Sequence, residues 1–392
     1  MHPRRALNLL GLSLALACAA CGGATNGSQA HSPAETRDPD RVAVERQVIT
    51  PGDTTSLSAL FDEAKRDFDA GRFDVAAQKF TRVYRLEPKG ELAPHALFNA
   101  GHSQDSAGDL EAAYGSYRRL LSEFPKSELS RDAMVRSVRL AGFLERWEEG
   151  GKLADLALSR ISDPNPFEVA TLRSALALAL LQEGNVERAS YQVERARGVV
   201  EASQLDRAGR LPPELAQLYF ALGEIRRVRG EAISFSPTPT NFAQVLEDRC
   251  QLLLDAQSAY SDTMRAYDSH WSAMAGFRVG ELYKRLHEDL MKVPPPNAAD
   301  SEARKQLFEG AMRLRYSVLL KKGLQLMEHT LSMAARTGEH GAWVERASKA
   351  KLELELAIKQ EQKALDALPY SRAELQAALD DLAARAKTAS TP

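Results

Sequence analysis

The sequence repeats itself every thirty-seven residues, which restricts the fold more than any other feature. Phe73, Leu110 and Trp147 are separated by this interval, and each follows a short segment that breaks a helix. The same interval relates three further sets of positions: Leu60, Leu97 and Met134; Ala76, Ala113 and Gly150; Phe80, Tyr117 and Ala154. A fixed period of this length indicates a helical solenoid, in which each unit buries its apolar face against its neighbours. The sequence therefore predicts an all-α fold of stacked helical hairpins.

Within the first two units, small and large residues fall at positions expected for two packed helices. The first unit has Leu60, Ala64, Phe68, Gly71, Ala76, Phe80 and Pro88, and the second has Leu97, Gly101, Gly108, Ala113, Tyr117 and Pro125. Small residues let two helices approach, a large aromatic fills the remaining gap, and proline ends the second helix. The pattern resembles the tetratricopeptide repeat (TPR), lengthened by three residues. The third unit departs from it, with Val138 at the small position and Ser162 at the terminal proline.

The pattern divides the rest of the chain into regions. Repeats are predicted over 57–233, with a fourth helical pair (Val169–Gln182 and Val186–Val200) and a fifth that starts at Leu211. The rhythm breaks at Ser234–Asn241, which we interpret as a joint between domains; an insertion that contacts a partner is the alternative. Longer helices are predicted over 242–368, and a frayed tail over 369–392. Leu352, Leu354, Leu356 and Ile358 alternate as in a strand, but their neighbours are strong helix formers, so we predict a helix.

The N-terminus predicts a secretory signal over 1–21. Arg4 and Arg5 precede an apolar run, Ala6–Ala17, that is too short to span a bilayer. The segment Leu14–Gly23 resembles the lipobox of bacterial lipoproteins, which implies a lipid-modified cysteine. We favour Cys18 over Cys21; an ordinary signal cleaved near Ala20 is a further alternative. Residues 22–56 are predicted to be a disordered tether.

This resemblance implies a protein of the cell envelope that is held to a membrane by its acyl chains, palmitate among them. No aspartate follows either cysteine, so we expect the outer membrane, facing the periplasm. The chain is also loosely similar to envelope-associated repeat lipoproteins. The predicted function is a non-catalytic scaffold that binds one or more envelope proteins. A regulator of cell-wall synthesis and an outer-membrane protein assembly factor remain alternatives.

The sequence offers no pattern for catalysis or for a bound group. Basic and acidic residues nearly balance, which gives no argument for nucleic acid. His287-Glu288 lacks the second histidine of a zinc-protease motif, because Met291 stands there. No Gly-x-Ser-x-Gly motif or phosphate-binding glycine loop is present. We therefore predict no catalytic residue, metal site, cofactor or small-molecule substrate, and we interpret Cys250 as a buried structural thiol.

The TPR resemblance also implies a binding groove, since the first helix of each pair lines the concave side in that family. Its fifth positions correspond to Phe61, Phe98 and Val135, and its ninth positions to Lys65, His102 and Arg139. These six residues would form an apolar ladder beside a basic one, suited to a peptide with apolar anchors and acidic neighbours. Alternatively, the phenylalanines belong to the core and the basic side chains are only solvated.

Overall fold

The computed structural model describes residues 56–206, 211–296 and 299–389, with side chains as far as residue 380. The predicted signal, the tether up to residue 55 and both candidate cysteines, Cys18 and Cys21, lie outside these ranges. Ser56–Asp380 forms one unit. Over the described residues the chain is all-α, as predicted, with fourteen helices and no strand.

The helices follow one another as antiparallel pairs. The first three pairs keep the predicted period: α1 Leu57–Asp69 with α2 Phe73–Leu86, α3 Ala93–Ala107 with α4 Leu110–Glu123, and α5 Ser130–Phe143 with α6 Trp147–Arg160. The next pairs are α7 Pro166–Gln182 with α8 Val186–Ala202, and α9 Ala216–Glu231, preceded by a 3₁₀ turn Pro213–Leu215, with α10 Phe242–Arg265. The longer helices are α11 Ser269–Met291, α12 Glu302–Thr337, α13 Ala342–Asp366 and α14 Arg372–Ala389.

The turn inside each of the first three pairs requires a left-handed residue. Gly71 and Gly108 occupy this position with φ of 74° and 85°. Glu145 occupies it in the third pair, with φ of 55°. Glycine adopts this conformation without a steric penalty, whereas a residue with a Cβ is strained there. The turn of the third pair therefore keeps the positive φ of the first two turns, although glutamate stands there instead of glycine.

The small and large residues meet inside the hairpins as the period predicts. A Cβ added to Gly101 would lie only 2.9 Å from Cε1 of Tyr117, so the glycine is what allows the aromatic ring to fit. In the first pair, Ala64 and Phe80 share one buried cluster. In the third pair, Val138 and Ala154 share another. The departure at Val138 is thus matched by the loss of an aromatic side chain at position 154, which keeps the total volume similar.

The pairs stack into one continuous solenoid, because the second helix of a pair packs on the next pair, as α2 does on α3 and α4 on α5. From α5 onward the first helices also pack on one another: α5 on α7, α7 on α9, α9 on α11 and α11 on α13. The largest core cluster extends from Ala170 to Leu354. It includes Phe235, whose ring centroid is 5.5 Å from that of Phe242. The interpretation of Ser234–Asn241 as a joint between domains is therefore wrong: α9 and α10 pack along each other on either side of it.

The long helices are buried against one another at glycine positions. A Cβ on Gly280 of α11 would lie 2.6 Å from Cε of Met327 on α12. The alternating leucines are helical, with Leu354 fully buried but Leu352 and Leu356 65% and 56% exposed. The prediction of a frayed tail over 369–392 is also wrong in its first part, because α14 begins at Arg372 and buries Leu375 and Leu379. These two leucines are one helical turn apart, which is the spacing of a packed helical face.

Candidate binding surfaces on the inner face

We call the face formed by the first helix of each pair (α1, α3, α5, α7, α9, α11 and α13) the inner face. The predicted apolar residues on it are half-buried and packed against their own hairpins. The ring of Phe61 meets Phe80 edge-on with centroids 5.1 Å apart, and Phe98 meets Tyr117 in the same way at 5.6 Å. Val135 packs against the buried cluster of the third pair. These side chains therefore contribute to the core and leave part of their surface at the inner face.

The three predicted basic residues differ in their surroundings. Lys65 is exposed and lines a small groove of about 120 Å³ between α1 and α3, together with Phe68 and His102. The His102 ring lies 4.8 Å from that of Phe68. Burial lowers the pKa of His102, and the charge of Arg136 lowers it further, so the imidazole is neutral at pH 7. Lys65 is thus the clearly charged member at this end of the inner face.

Arg139 is not a free cation either. Its guanidinium forms an ion pair with Asp105 and lies over the ring of Phe143, 5.3 Å from the centroid. Arg136 is a cation that the sequence analysis missed. It lies 5.6 Å from the Phe98 ring centroid and has no ion-pair partner in the described part of the chain. Asp62 and Asn99 occupy the equivalent positions of the first two units, so no periodic signal marked Arg136.

A larger cavity, of about 420 Å³, lies farther along the inner face. Its walls come from α7, α9, α11 and α13, with the α5–α6 turn at one side. The lining side chains are Glu145, Trp147, Leu178, Leu181, Gln182, Phe220, Glu224, Arg227, Val228, Met274, Phe277, Arg278, Glu281, Trp343 and Arg346. We call this space the central cavity. Sequence analysis did not predict it, because its residues are separated by up to 201 positions.

A buried carboxylate anchors one wall of the central cavity. Glu224 is only 7% exposed, and it accepts hydrogen bonds from Tyr260 Oη at 2.6 Å and from Arg227 Nη2 at 2.8 Å. Arg278 Nε lies 3.0 Å from the same carboxylate. Burial opposes ionisation of Glu224, but the two guanidinium charges outweigh it and lower its pKa. The group is therefore a permanent, fully bonded anion that fixes α9, α10 and α11 together.

Contacts between distant pairs close the other side of the central cavity. Arg346 of α13 donates from Nη1 to Glu145 Oε2 of the α5–α6 turn at 3.0 Å. Its guanidinium also lies 4.1 Å from the ring centroid of Trp343. Nearby, the His270 ring stacks on Phe143 with centroids 4.8 Å apart, and Phe143 contacts Trp271. The third repeat is thus tied directly to the long helices, at the one turn where glutamate replaces glycine.

Other candidate sites are weaker. In the described ranges, no group of three or more His, Cys, Asp or Glu side chains is arranged to hold a metal ion. No helix there is long and apolar enough to cross a bilayer. Cys250 is half-buried and packs beside the large core cluster, and burial raises the pKa of its thiol.

Comparison with known proteins gives distant structural similarity. No protein-family model matches the chain, and no curated protein matches it in sequence. A tetratricopeptide repeat protein from Parabacteroides merdae is similar over 76% of this chain and 98% of its own, with 16% identity and a TM-score of 0.42. The TPR2AB domain of yeast Sti1, solved in complex with pHSP90, matches over 78% and 98%, with 13% identity and a TM-score of 0.26. Yeast Tom70 matches over 79% and 67%, with 15% identity and a TM-score of 0.29.

Proposed function

We propose that this protein is a non-catalytic scaffold that binds a segment of a partner protein against the inner face of α1, α3 and α5. One observation carries the proposal. Lys65 and Arg136 place positive charge beside half-buried aromatic rings, and neither cation has an ion-pair partner in the described part of the chain. Cations beside apolar surface are a combination that a protein partner can complete.

The surface defines the chemistry of the partner. The exposed edges of Phe61, Phe68 and Phe98 offer apolar contact, while Lys65 and Arg136 favour carboxylates. A segment that carries acidic residues next to apolar ones fits both requirements. Each charge-assisted contact is worth about 1.5–3 kcal/mol in a partly desolvated groove and should weaken as salt is added. The revised cation pair replaces the three-residue ladder of Lys65, His102 and Arg139.

The location of the scaffold is also part of the proposal. The residues from Leu14 to Gly23 support lipid attachment at Cys18, with Cys21 as the alternative, and hence a place at the outer membrane facing the periplasm. The partner would then be another envelope protein. Mass spectrometry of the mature N-terminus should find an acylated cysteine at position 18. An unmodified start at Gly22 would remove the anchor from the proposal while leaving the binding surface untouched.

The binding surface is tested by two matched double variants. Lys65→Ala with Arg136→Ala removes two charges from the inner face, and Arg82→Ala with Arg118→Ala removes two from the second helices α2 and α4. Both proteins should melt like the parent, because isolated surface substitutions change stability by no more than about 0.5 kcal/mol each. Affinity purification from envelope extract should recover the partner with the second variant but not with the first. Equal recovery with both variants would place the partner elsewhere.

A further inference from the structure

One side of α13 exposes two leucines among charged residues. Leu352 and Leu356 are 65% and 56% exposed, and they lie one turn apart, so their side chains are neighbours on the helix surface. The opposite side of α13 packs on α11 and α12 and buries Leu354. We call the exposed side the outer face, and it consists of Glu345, Lys349, Leu352, Leu356, Lys359 and Lys363.

The outer face lies at the end of the solenoid. α14 follows α13 in sequence but packs near the start of α12, where Leu375 lies close to Gly310. The outer side of the last unit of a solenoid is normally polar, because no further unit covers it. Two adjacent exposed leucines at this place therefore indicate a contact surface.

The outer face carries free charges at its two ends. The acidic residues on its flanks are occupied, since Glu353 forms an ion pair with α11 and Glu361 forms one with α12. Glu345 and Lys363 are different: both are exposed, and neither forms an ion pair with a residue whose side chain the structure describes. One end of the outer face is thus a free anion and the other a free cation.

The charges and the leucines share one centre. Glu345 and Lys363 are eighteen residues apart, which is about five turns of an α-helix, so they lie on one line along the outer face. The midpoint of this pair is position 354, and the midpoint of Leu352 and Leu356 is the same. A two-fold axis at that level pairs Glu345 with Lys363 of a second copy at both ends and sets the leucines of the two copies against each other. A parallel pair would bring like charges together, so the outer face is complementary to itself only in the antiparallel orientation.

The other two lysines do not oppose this arrangement. Lys349 and Lys359 are ten residues apart, which places them about 80° apart around the helix, on opposite edges of the outer face. In an antiparallel pair, Lys349 lies beside Gln360 of the second copy, and Lys359 lies beside Ser348. Each lysine therefore faces an uncharged residue.

We propose that the protein forms a symmetric dimer in which the outer faces of two α13 helices pack antiparallel. Four leucines form its centre, and an ion pair between Glu345 and Lys363 closes each end. One helix from each copy buries less than the roughly 1,600 Å² of a standard interface, so the dimer is weak and assembles at micromolar concentration. Because the proposed partner surface lies on α1, α3 and α5, each dimer carries two copies of it.

Sedimentation equilibrium of the full chain measures the association. Over a protein concentration of about 1–200 µM, we expect the weight-average mass to rise from that of one chain towards that of two and no further. The rise should be smaller in high salt, because the two ion pairs are exposed. A mass that stays at one chain over this range, or that grows past two, would show that the proposed dimer does not form.

A charge exchange tests the pairing itself. Glu345→Lys and Lys363→Glu each place like charges at both ends and should weaken the dimer about tenfold. The double variant restores opposite charges in reversed order and should dimerise like the parent. Glu201→Lys, an exposed charge reversal on α8, is the matched control and should leave association unchanged. If the double variant is as weak as the single variants, or if neither single variant weakens association, the proposed interface is wrong.

Leu352→Glu distinguishes this dimer from other uses of the outer face. The leucine is mostly exposed, so the variant should melt like the parent, whereas its dimer should be weakened at least about tenfold. An undiminished dimer would contradict the proposal. Flotation with vesicles of phosphatidylglycerol and phosphatidylcholine is measured on the same two proteins. A parent that stays monomeric but floats, together with a Leu352→Glu variant that does not, would assign the outer face to a membrane surface and overturn the dimer.

Discussion

The first two repeats and the long-helix half use the same hairpin architecture in opposite ways. In α1 to α4, one small residue faces one aromatic in each pair, glycine makes each turn, and the inner face stays open. In α9 to α13, the helices are longer and α11 is buried along most of its length. The inner face there is occupied by Glu224, Arg278 and Trp343 and is tied back to the third repeat. A repeat can therefore leave its inner face uncovered or bury it within its own chain.

The difference follows from where the stabilising contacts lie in the sequence. Gly101 and Tyr117 are neighbours within one hairpin, so their contact is made inside a single repeat. Glu145 and Arg346 are two hundred and one residues apart. Long-range contacts therefore connect distant hairpins in the second region, whereas the contact in the first region joins the two helices of one hairpin. Four changes test this contrast, from the largest expected effect to the smallest.

Removing the buried anion should damage the long-helix half most. Glu224→Leu removes the carboxylate shared by Arg227, Arg278 and the buried Tyr260, so the Tyr260 hydroxyl loses its acceptor and the two arginines keep only Glu231 and Glu281 as partners. This should cost about 3 kcal/mol in the free energy of unfolding.

Asp67→Asn is the counterpart in the first repeat, where the buried Asp67 pairs with Lys79 and with Arg72, whose side chain is 57% exposed. We expect a smaller loss there, because Arg72 is readily solvated and Lys79 keeps its ion pair with Glu63. Urea unfolding of both variants checks the order, and a reversed order would contradict the contrast.

The residue pair of the third repeat, Val138 with Ala154, should be tolerated at the equivalent positions of the second repeat, Gly101 and Tyr117. Gly101→Val places a branched side chain where even a Cβ would be 2.9 Å from Tyr117, and overpacking should cost about 1–3 kcal/mol. Adding Tyr117→Ala copies the Val138 and Ala154 combination of the third repeat and should recover part of that loss. A double-mutant cycle measures the coupling. Additive losses would show that the two positions do not meet.

Glycine usually destabilises a folded chain, but at position 145 it should be more stable than a residue with a Cβ, because the turn there has a positive φ. Glu145→Gly and Glu145→Gln both remove the carboxylate from Arg346, but only the glycine relieves the positive φ. The glycine variant should therefore be about 1 kcal/mol more stable than the glutamine variant. Conversely, Gly108→Glu at the equivalent turn should destabilise by a similar amount. Thermal melts of the three proteins suffice, and equal stability of the two position-145 variants would argue against strain.

The smallest expected effect is a pH dependence of stability that arises from His102, in the groove between α1 and α3. Burial lowers the pKa of His102 in the folded protein, so the unfolded chain binds more protons as pH falls below about 6.5. Stability should therefore decrease from that pH downwards, until the folded pKa is reached. His102→Gln should remove this part of the slope. If the variant and the parent lose stability in parallel between pH 7 and pH 5, His102 does not carry the effect.

Local sequence patterns were enough to predict the repeats. The thirty-seven-residue period located the first three hairpins, their turns and the small positions, because these contacts lie within one unit. The resemblance to the TPR, not the period, assigned Phe61, Phe98 and Lys65 to a binding groove. It also assigned His102 and Arg139 to a free basic ladder, because no sequence pattern showed that the Phe68 ring packs beside His102 or that Asp105 pairs with Arg139.

Long-range contacts explain what the sequence did not reveal. Ser234–Asn241 looked like a domain joint because its composition is that of a linker, yet Phe235 is buried in the shared core. The central cavity depends on α7, α9, α11 and α13 and on the α5–α6 turn, and no local pattern links them. The only sequence signal was Glu145, which stands where the period expects glycine.

The central claim is that the inner face is open to a protein partner at α1 to α5 and closed by the chain itself farther on. Site-specific photo-crosslinking in intact cells tests it, with p-benzoylphenylalanine placed in turn at Asn99 in the groove that Lys65 lines, at Arg82 on α2 and at Gln182 beside the central cavity. The account predicts a crosslinked partner protein from position 99 and none from positions 82 and 182. A partner captured from position 182 or 82 but not from position 99 would contradict it.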